Sequence, residues 1–252
     1  MAGLGLGTSL LECLTLYIIM GMNGALETLV AQAAGADQIR LCGVYLNRAR
    51  LINTVVFLPL MGILLFTKPI LSFLGQQEEV VEHATVYVID NLLSVYLLGM
   101  YDLHKRFLNC LKATWIPMIA QVVATLLHVF WCHLFVTELG WDIRGLGMAS
   151  ALTSTILLST TLIYAHCLKD IKVALFWPDA TICTGWKEYF NLGVPTTGML
   201  CAEYWAWQFL AIVSGNLGVE VQANMMITMQ VAAMSSTVCM GIQEAACVVI
   251  GH

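Results

Sequence analysis

Residues 6–30 read Leu6-Gly7-Thr8-Ser9-Leu10-Leu11-Glu12-Cys13-Leu14-Thr15-Leu16-Tyr17-Ile18-Ile19-Met20-Gly21-Met22-Asn23-Gly24-Ala25-Leu26-Glu27-Thr28-Leu29-Val30. Only Glu12 and Glu27 are charged, and the run exceeds the ~20 apolar residues that carry a helix across ~30 Å of hydrocarbon. Six further runs of this kind follow, near 50–67, 85–103, 115–137, 146–167, 190–214 and 222–250. Composition agrees: 59% of the 252 residues are hydrophobic and 11% charged, against roughly 25% charged in a soluble domain. Mean hydropathy is +0.81. The seven runs predict an all-α, polytopic bundle of a plasma or organelle membrane. Even the longest connection, Leu168 to Tyr189, leaves no room for a soluble domain.

The nine Cys are scattered without a CxxC pair and read as buried small hydrophobes. The six His show no metal-ligand spacing, so neither a metal site nor a cofactor is expected. No basic stripe or nucleic-acid motif is present. Orientation follows from the cations. Arg40, Arg48 and Arg50 fall at the first connection, Lys105, Arg106 and Lys112 at the third, and Lys169, Lys172 and Lys187 at the fifth, with Lys68 and Arg144 at the alternate ones. Short cytoplasmic loops retain Lys and Arg, so the three basic connections are placed inside the cell. Arg48 and Arg106 then read as snorkelling anchors at cytoplasmic helix ends.

With this topology the first run starts outside the cell without a basic leader region, and Cys247-Val248-Val249-Ile250-Gly251-His252 stops while still apolar. Both ends read as cut. Met20-Gly21, Ala25 and Thr8 recur as Met240-Gly241, Ala245 and Thr228, each displaced by 220 residues. Transporters are often built from such repeats. If this echo is one, a first helix and most of a second half are missing.

Gly21-Met22-Asn23-Gly24-Ala25-Leu26-Glu27-Thr28-Leu29, followed by Gln32-Ala33 and Gly35-Ala36, resembles the second-helix signature of the multidrug and toxic compound extrusion (MATE) family. Leu41, Gly43, Tyr45-Leu46 and Arg48 continue the pattern in order. So do Leu74-Gly75-Gln76 with Glu79-Val80, Arg106-Phe107-Leu108-Asn109 with Pro117, Gly145-Leu146-Gly147-Met148-Ala149, and Leu192-Gly193-Val194-Pro195. The resemblance implies a transporter of twelve helices in two lobes, of which this chain holds helices two to eight. Residues 1–167 would form the first lobe without its first helix, 168–189 a cytoplasmic interlobe linker, and 190–252 the start of the second lobe. It also implies export of organic, often cationic, compounds in exchange for protons or sodium ions.

Five acids are read as lying within the spans: Glu12, Glu27, Asp90, Glu203 and Glu244. A carboxylate near the bilayer centre costs at least ~2.5 kcal/mol, so each calls for a partner or a role. Glu203, in Cys201-Ala202-Glu203-Tyr204-Trp205-Ala206-Trp207-Gln208, resembles the seventh-helix acid that eukaryotic members use for cation or proton coupling. Carboxylates in dry sites take up protons near physiological pH, and exchange follows if proton and cargo compete. Met199, Glu203 and Trp207 share a helical face, which with Tyr204 and Gln208 suits a lipophilic cation. Some members carry acids where Gln208 and Ile227 stand here, which shifts weight onto Glu203 and leaves sodium coupling unsupported. Glu27, with Gln32, reads as architectural or interlobe, and Asp90 as interfacial or helix-capping. Pro195 either permits bending of the seventh run or merely starts it, and Pro117 reads as a starting proline.

The predicted function is a proton-coupled antiporter exporting small organic cations across the lipid bilayer, not an enzyme. The rival readings are a truncated, inactive chain that needs a complementary lobe, and a lipid-linked oligosaccharide flippase of the same superfamily, whose expected basic cavity Glu203 argues against. A seven-helix receptor is disfavoured by the absence of an Asn-Pro-x-x-Tyr motif. An intramembrane enzyme is disfavoured by the lack of HExxH, paired Gly-Asp or Ser/His arrangements.

Overall fold

Long apolar runs with few breakers fold as helices because hydrocarbon offers the backbone no other hydrogen-bond partner. The computed structural model describes residues 2–73, 78–177, 180–217 and 219–251. The matched Leu74-Gly75-Gln76 and the side chain of Glu244 lie outside the described residues. Helix α1 (Ala2–Leu11) passes through one π-helical turn (Glu12–Leu16) into α2 (Tyr17–Gly35). Then come α3 (Ile39–Leu65), α4 (Thr67–Phe73), α5 (Glu78–Cys110), and α6 (Trp115–Cys132), which a second π-helical turn (His133–Glu138) extends. α7 (Asp142–Cys167), the short α8 (Lys169–Lys172), a 3-10 turn (Ala180–Cys183), α9 (Trp186–Leu217) and α10 (Val219–Gly251) complete the order.

Five stretches, Leu4–Gly35, Ile39–Leu65, Glu78–Cys110, Trp115–Glu138 and Asp142–Cys167, are long and apolar enough to cross a membrane. α9 and α10 run for 32 and 33 residues. α2 and α5 stop in the same way without glycine. Asp37 and Lys112 each adopt φ 59, and the amides of Gln38 and Ala113 turn back onto the carbonyls of Ala33 and Leu108.

The helices overrun the apolar windows. Arg40, Arg48 and Arg50 lie inside α3, and Lys105 and Arg106 inside α5, not in connections. A hydropathy count ends at each cation, whereas the backbone continues wherever a neighbouring helix can satisfy the charge. Tyr189, Phe107, Leu26, Leu46, Ile52 and Leu103 are buried in a core shared by α2, α3, α5 and the start of α9. α6 leaves Met118, Val122, Leu126 and Phe130 exposed at helical spacing, Met118 and Val122 on a cavity shared with α2, α5 and α10. The segment after α8 is part of the packing, not a free connection. A Cβ on Gly43 would fall 2.1 Å from the Ala174 carbonyl oxygen, so α3 and this segment touch backbone to backbone. Asn47 donates to the Phe176 carbonyl at 3.0 Å. The cysteines divide: Cys42, Cys110 and Cys201 are buried, as expected, but Cys167, Cys183 and Cys239 are exposed.

Candidate functional site

α9 carries the predicted transport residues, and the structure sorts them onto two faces. Met199, Glu203 and Trp207 are all exposed along one side of the helix. The described residues therefore leave Glu203 open, where the sequence suggested an enclosed, dry acid. Tyr204 and Gln208 point instead at the first helix. The Tyr204 ring stacks on Tyr17 with centroids 4.1 Å apart, and Gln208 Oε1 accepts from Ser9 at 3.2 Å. Trp205 Nε1 donates to the Cys13 carbonyl at 3.1 Å. The reading that grouped Tyr204 and Gln208 with Glu203 missed this division, because residues one position apart on a helix do not share a face.

Glu12 belongs to this junction; from sequence it reads equally as a cavity-lining acid or one paired with a polar neighbour, and here it has such a neighbour. The Tyr17 hydroxyl donates to Glu12 Oε2 at 3.1 Å. Residues five apart diverge on an α-helix but come close on a π-helix, whose hydrogen bonds span i to i+5. The π-helical turn from Glu12 to Leu16 thus brings carboxylate and phenol together, and the stacked Tyr204 ties the pair to α9.

A second polar cluster lies deeper. Asn23 and Glu27 stand four residues apart on α2, facing Asp102 and Arg106, also four apart, on α5. Arg106 pairs with Glu27 through Nη1 and with Asp102 through Nε at 2.9 Å. The Asn23 amide donates to Asp102 at 2.8 Å and to the Gly99 carbonyl at 3.1 Å, while its oxygen accepts from Asn53 of α3 at 2.6 Å. Three helices are thereby pinned. Arg106 is not a snorkelling anchor but the centre of an ion-pair triad, and Asp102 is a further acid within a span that the count of five omitted. Tyr189 extends the cluster, its buried hydroxyl unbonded and within electrostatic range of Arg106 and Asp102. Beside it Arg50 donates to His104 at 3.0 Å and to Asn47 at 2.8 Å. The i, i+4 pattern Asn23/Glu27 against Asp102/Arg106 is a readable signal, lost because Arg106 reads as an anchor at a helix end and Asp102, inside the run 85–103, is not counted among the acids.

Asp90 is no helix cap: it lies in the interior of α5, with Oδ2 buried and unbonded and Gly147 of α7 close against its Cβ. Pro195 is also interior, nine residues into α9, so it does not start the helix. Around it α2 and α9 cross closely. Cβ atoms on Gly21 and Gly24 would meet Thr197 and Thr196, and one on Gly193 would meet Met22. Proline removes one amide donor, and Thr196 and Thr197 bond back to the carbonyls of Leu192 and Gly193 at 2.8 and 2.7 Å. Gln32 is exposed and lines a cavity of about 580 Å³ at the start of α9. A larger cavity of about 1120 Å³ lies between α2, α5, α6 and α10, and Met20, Gly241 and Ala245 of the sequence echo all border it.

Comparison with known proteins agrees with this architecture. The MatE family model matches residues 1–134, more than half of the chain. The chain is 28% identical to Protein DETOXIFICATION 36 of Arabidopsis thaliana over 260 residues, 100% of this chain and 50% of that protein. It is 24% identical to Multidrug and toxin extrusion protein 1 of Oryctolagus cuniculus over 249 residues, 98% of this chain and 44% of that one. It therefore spans about half the length of the curated relatives it matches. Its fold resembles the crystal structure of the eukaryotic MATE transporter AtDTX14, with a TM-score of 0.79 and 22% identity over 85% of this chain and 48% of that one. A MATE structure in complex with MaD5 superposes with a TM-score of 0.80 over 99% of this chain, 58% of that one, at 17% identity. Motif order, membrane bundle and family match lead to one assignment: this chain is a multi-pass membrane protein of the MATE transporter family.

Proposed function

We propose that this chain supplies one lobe, and the start of a second, of an antiporter that exports organic cations in exchange for protons. Residues 1–167 belong to the first lobe, 190–252 to the second, and the basic end of the bundle faces the cytoplasm. The observation that carries this reading is the exposed carboxylate of Glu203 on a long helix of a MATE-family membrane protein, on one face with Trp207 and Met199. A carboxylate open to a cavity can hold a proton or pair with a cation, and the two compete for the same oxygens. An indole beside it adds cation–π attraction worth up to ~2 kcal/mol once water is excluded. The chain covers about half of its relatives, so transport on this reading requires the rest of a two-lobe carrier.

The test is efflux of a fluorescent cation from vesicles bearing a two-lobe transporter that contains this sequence. Glu203→Gln abolishes export driven by a proton gradient. Normal proton-driven export by that variant defeats the coupling role. Trp207→Ala weakens binding of cationic cargo roughly tenfold or more while sparing neutral cargo, in line with a lost cation–π contact. Equal losses for both cargoes assign Trp207 to packing.

A further inference from the structure

Three ties hold the middle of α9 against the first stretch of the chain. Gln208 accepts from Ser9 at 3.2 Å, Trp205 Nε1 donates to the Cys13 carbonyl at 3.1 Å, and the Tyr204 ring stacks on Tyr17 with centroids 4.1 Å apart. Tyr204 and Gln208 stand four apart on one flank of the helix, so together these ties set its rotation. Met199, Glu203 and Trp207 are thereby left exposed along another side. Two of the ties join neutral groups, a hydroxyl with an amide and an indole with a carbonyl. The third contains an acid. The Tyr17 hydroxyl donates to Glu12 Oε2 at 3.1 Å, so a carboxylate steers the ring on which Tyr204 rests.

The chain gives up another bond to make this contact. Glu12 and Tyr17 meet only because the helix widens into a π-helical turn between them. Thr8, Thr54 and Thr161 each return their hydroxyl to the carbonyl four residues earlier. Thr15, inside the π-helical turn, is fully buried, and its Oγ1 has no partner among the described residues. A buried hydroxyl left unbonded is a cost, and π-helical turns that persist in spite of such costs recur at functional sites. Tyr204 lies within electrostatic range of both Glu12 and Glu203, so one phenol adjoins the two acids. The thiols of Cys13, in the turn, and Cys201, on α9, are the other titratable groups of the junction. From α3 and α5 the turn meets the apolar cluster around Leu14, whose titratable members are Tyr87 and Tyr96. Among the described residues no Lys or Arg forms an ion pair with Glu12.

We infer that Glu12 and Tyr17 form a protonation-sensitive tie that sets the rotation of α9, and with it the direction in which Glu203 faces. Glu12 is a positioning residue, acting through Tyr17 and Tyr204. The charged carboxylate holds the Tyr17 hydroxyl by a charge-assisted hydrogen bond, which weakens when the carboxyl takes up a proton. The Tyr17 ring then loses its fixed orientation, the stack on Tyr204 loosens, and α9 keeps only its two neutral ties. A proton on Glu12 thus biases the helix between two settings. The bearing of this tie on transport rests on the coupling role proposed for Glu203, whereas the tie itself rests on the contacts around Tyr17.

Trp205, next to Tyr204, reports the tie. In a two-lobe transporter that contains this sequence, labelled with 5-fluorotryptophan, the fluorine resonance of Trp205 is assigned through Trp205→Phe and followed against pH. The resonance is expected to titrate in the parent and in Glu203→Gln, and to lose that titration in Glu12→Gln. Tyr17→Phe keeps the ring and removes the donor, and the titration is expected to be lost there too. A resonance that does not titrate in the parent, or titrates unchanged in Glu12→Gln, overturns the tie. So does a titration that disappears in Glu203→Gln, which assigns the proton to Glu203. A titration lost in Glu12→Gln but intact in Tyr17→Phe overturns the route through the stack. Normal proton-driven export by Glu203→Gln, with the Trp205 titration still governed by Glu12, defeats the coupling role and supports the tie, so the two failures are told apart.

Discussion

Replacing Arg106 with methionine is expected to destabilise the bundle by about 3–5 kcal/mol, the usual cost of removing one partner from a buried ion pair. Arg106 stands between Glu27 on α2 and Asp102 on α5, so its loss leaves two carboxylates in a region built for a cation. Asn23 still donates to Asp102, but Glu27 has no such second donor among the described residues. Glu27→Gln is expected to cost less, because Asp102 continues to neutralise Arg106. Denaturation in detergent, followed by the far-ultraviolet signal, measures both. A loss below about 1 kcal/mol for Arg106→Met, the range of an exposed ion pair, means that water reaches the triad and that it does not hold the helices together. Combining Arg106→Met with Asp102→Asn and Glu27→Gln should recover part of the loss, since the penalty lies in unpaired charge rather than in missing contact.

Gly21→Ala is the second large effect. A Cβ at this position would lie 2.5 Å from Thr197 Cα, 2.7 Å from its Oγ1 and 2.9 Å from its Cβ. The closest of these is backbone, which no change of rotamer can move, so α2 and α9 must separate. Overpacking of this kind costs about 1–3 kcal/mol, and the cost falls on the junction rather than on each helix alone. Gly24→Ala is milder, because its Cβ meets the Thr196 Cγ2 at 2.7 Å, a methyl group that can rotate away. A Cβ placed on Gly193 lies 3.5 Å from the Ala25 Cβ, within the reach of a disulfide, so cysteines at positions 25 and 193, with the native cysteines removed, report the junction by disulfide formation. Cross-linking should drop sharply with Gly21→Ala and little with Gly24→Ala. Equal cross-linking in both variants contradicts the close crossing. Separation also removes the Tyr17–Tyr204 stack and the Ser9–Gln208 bond, which hold α9 against α2 and α1.

Legibility varied with the range of the forces involved. The length of an apolar run is a local property, fixed by the thickness of hydrocarbon, so the sequence sufficed for the all-helical membrane bundle and the ordered motifs for the family. The shared face of Met199, Glu203 and Trp207 followed from helical periodicity alone, although not their exposure. Helix limits at cations were misjudged, since whether Arg106 ends a helix or sits inside one depends on Glu27, 79 residues away in the chain. Asp102 falls inside the run 85–103 and is legible, but goes uncounted because its role emerges only against Arg106 and Asn23. The packing of the segment after α8 onto Gly43 and Asn47 left no trace in its composition, because a backbone contact has no side-chain signature.

What the sequence determined by itself, then, is the solvent this protein lives in, the periodicity of its helices and the family whose motifs it carries, all properties of neighbours along one chain. Tertiary structure alone decided which charges are neutralised, that Glu12 and Tyr17 meet across a π-helical turn to receive Tyr204, and that the buried Nε of Arg48 finds no acceptor among the described residues. Those outcomes depend on which helix lies opposite, and in a low-dielectric interior the opposite partner sets the free energy of every buried polar group.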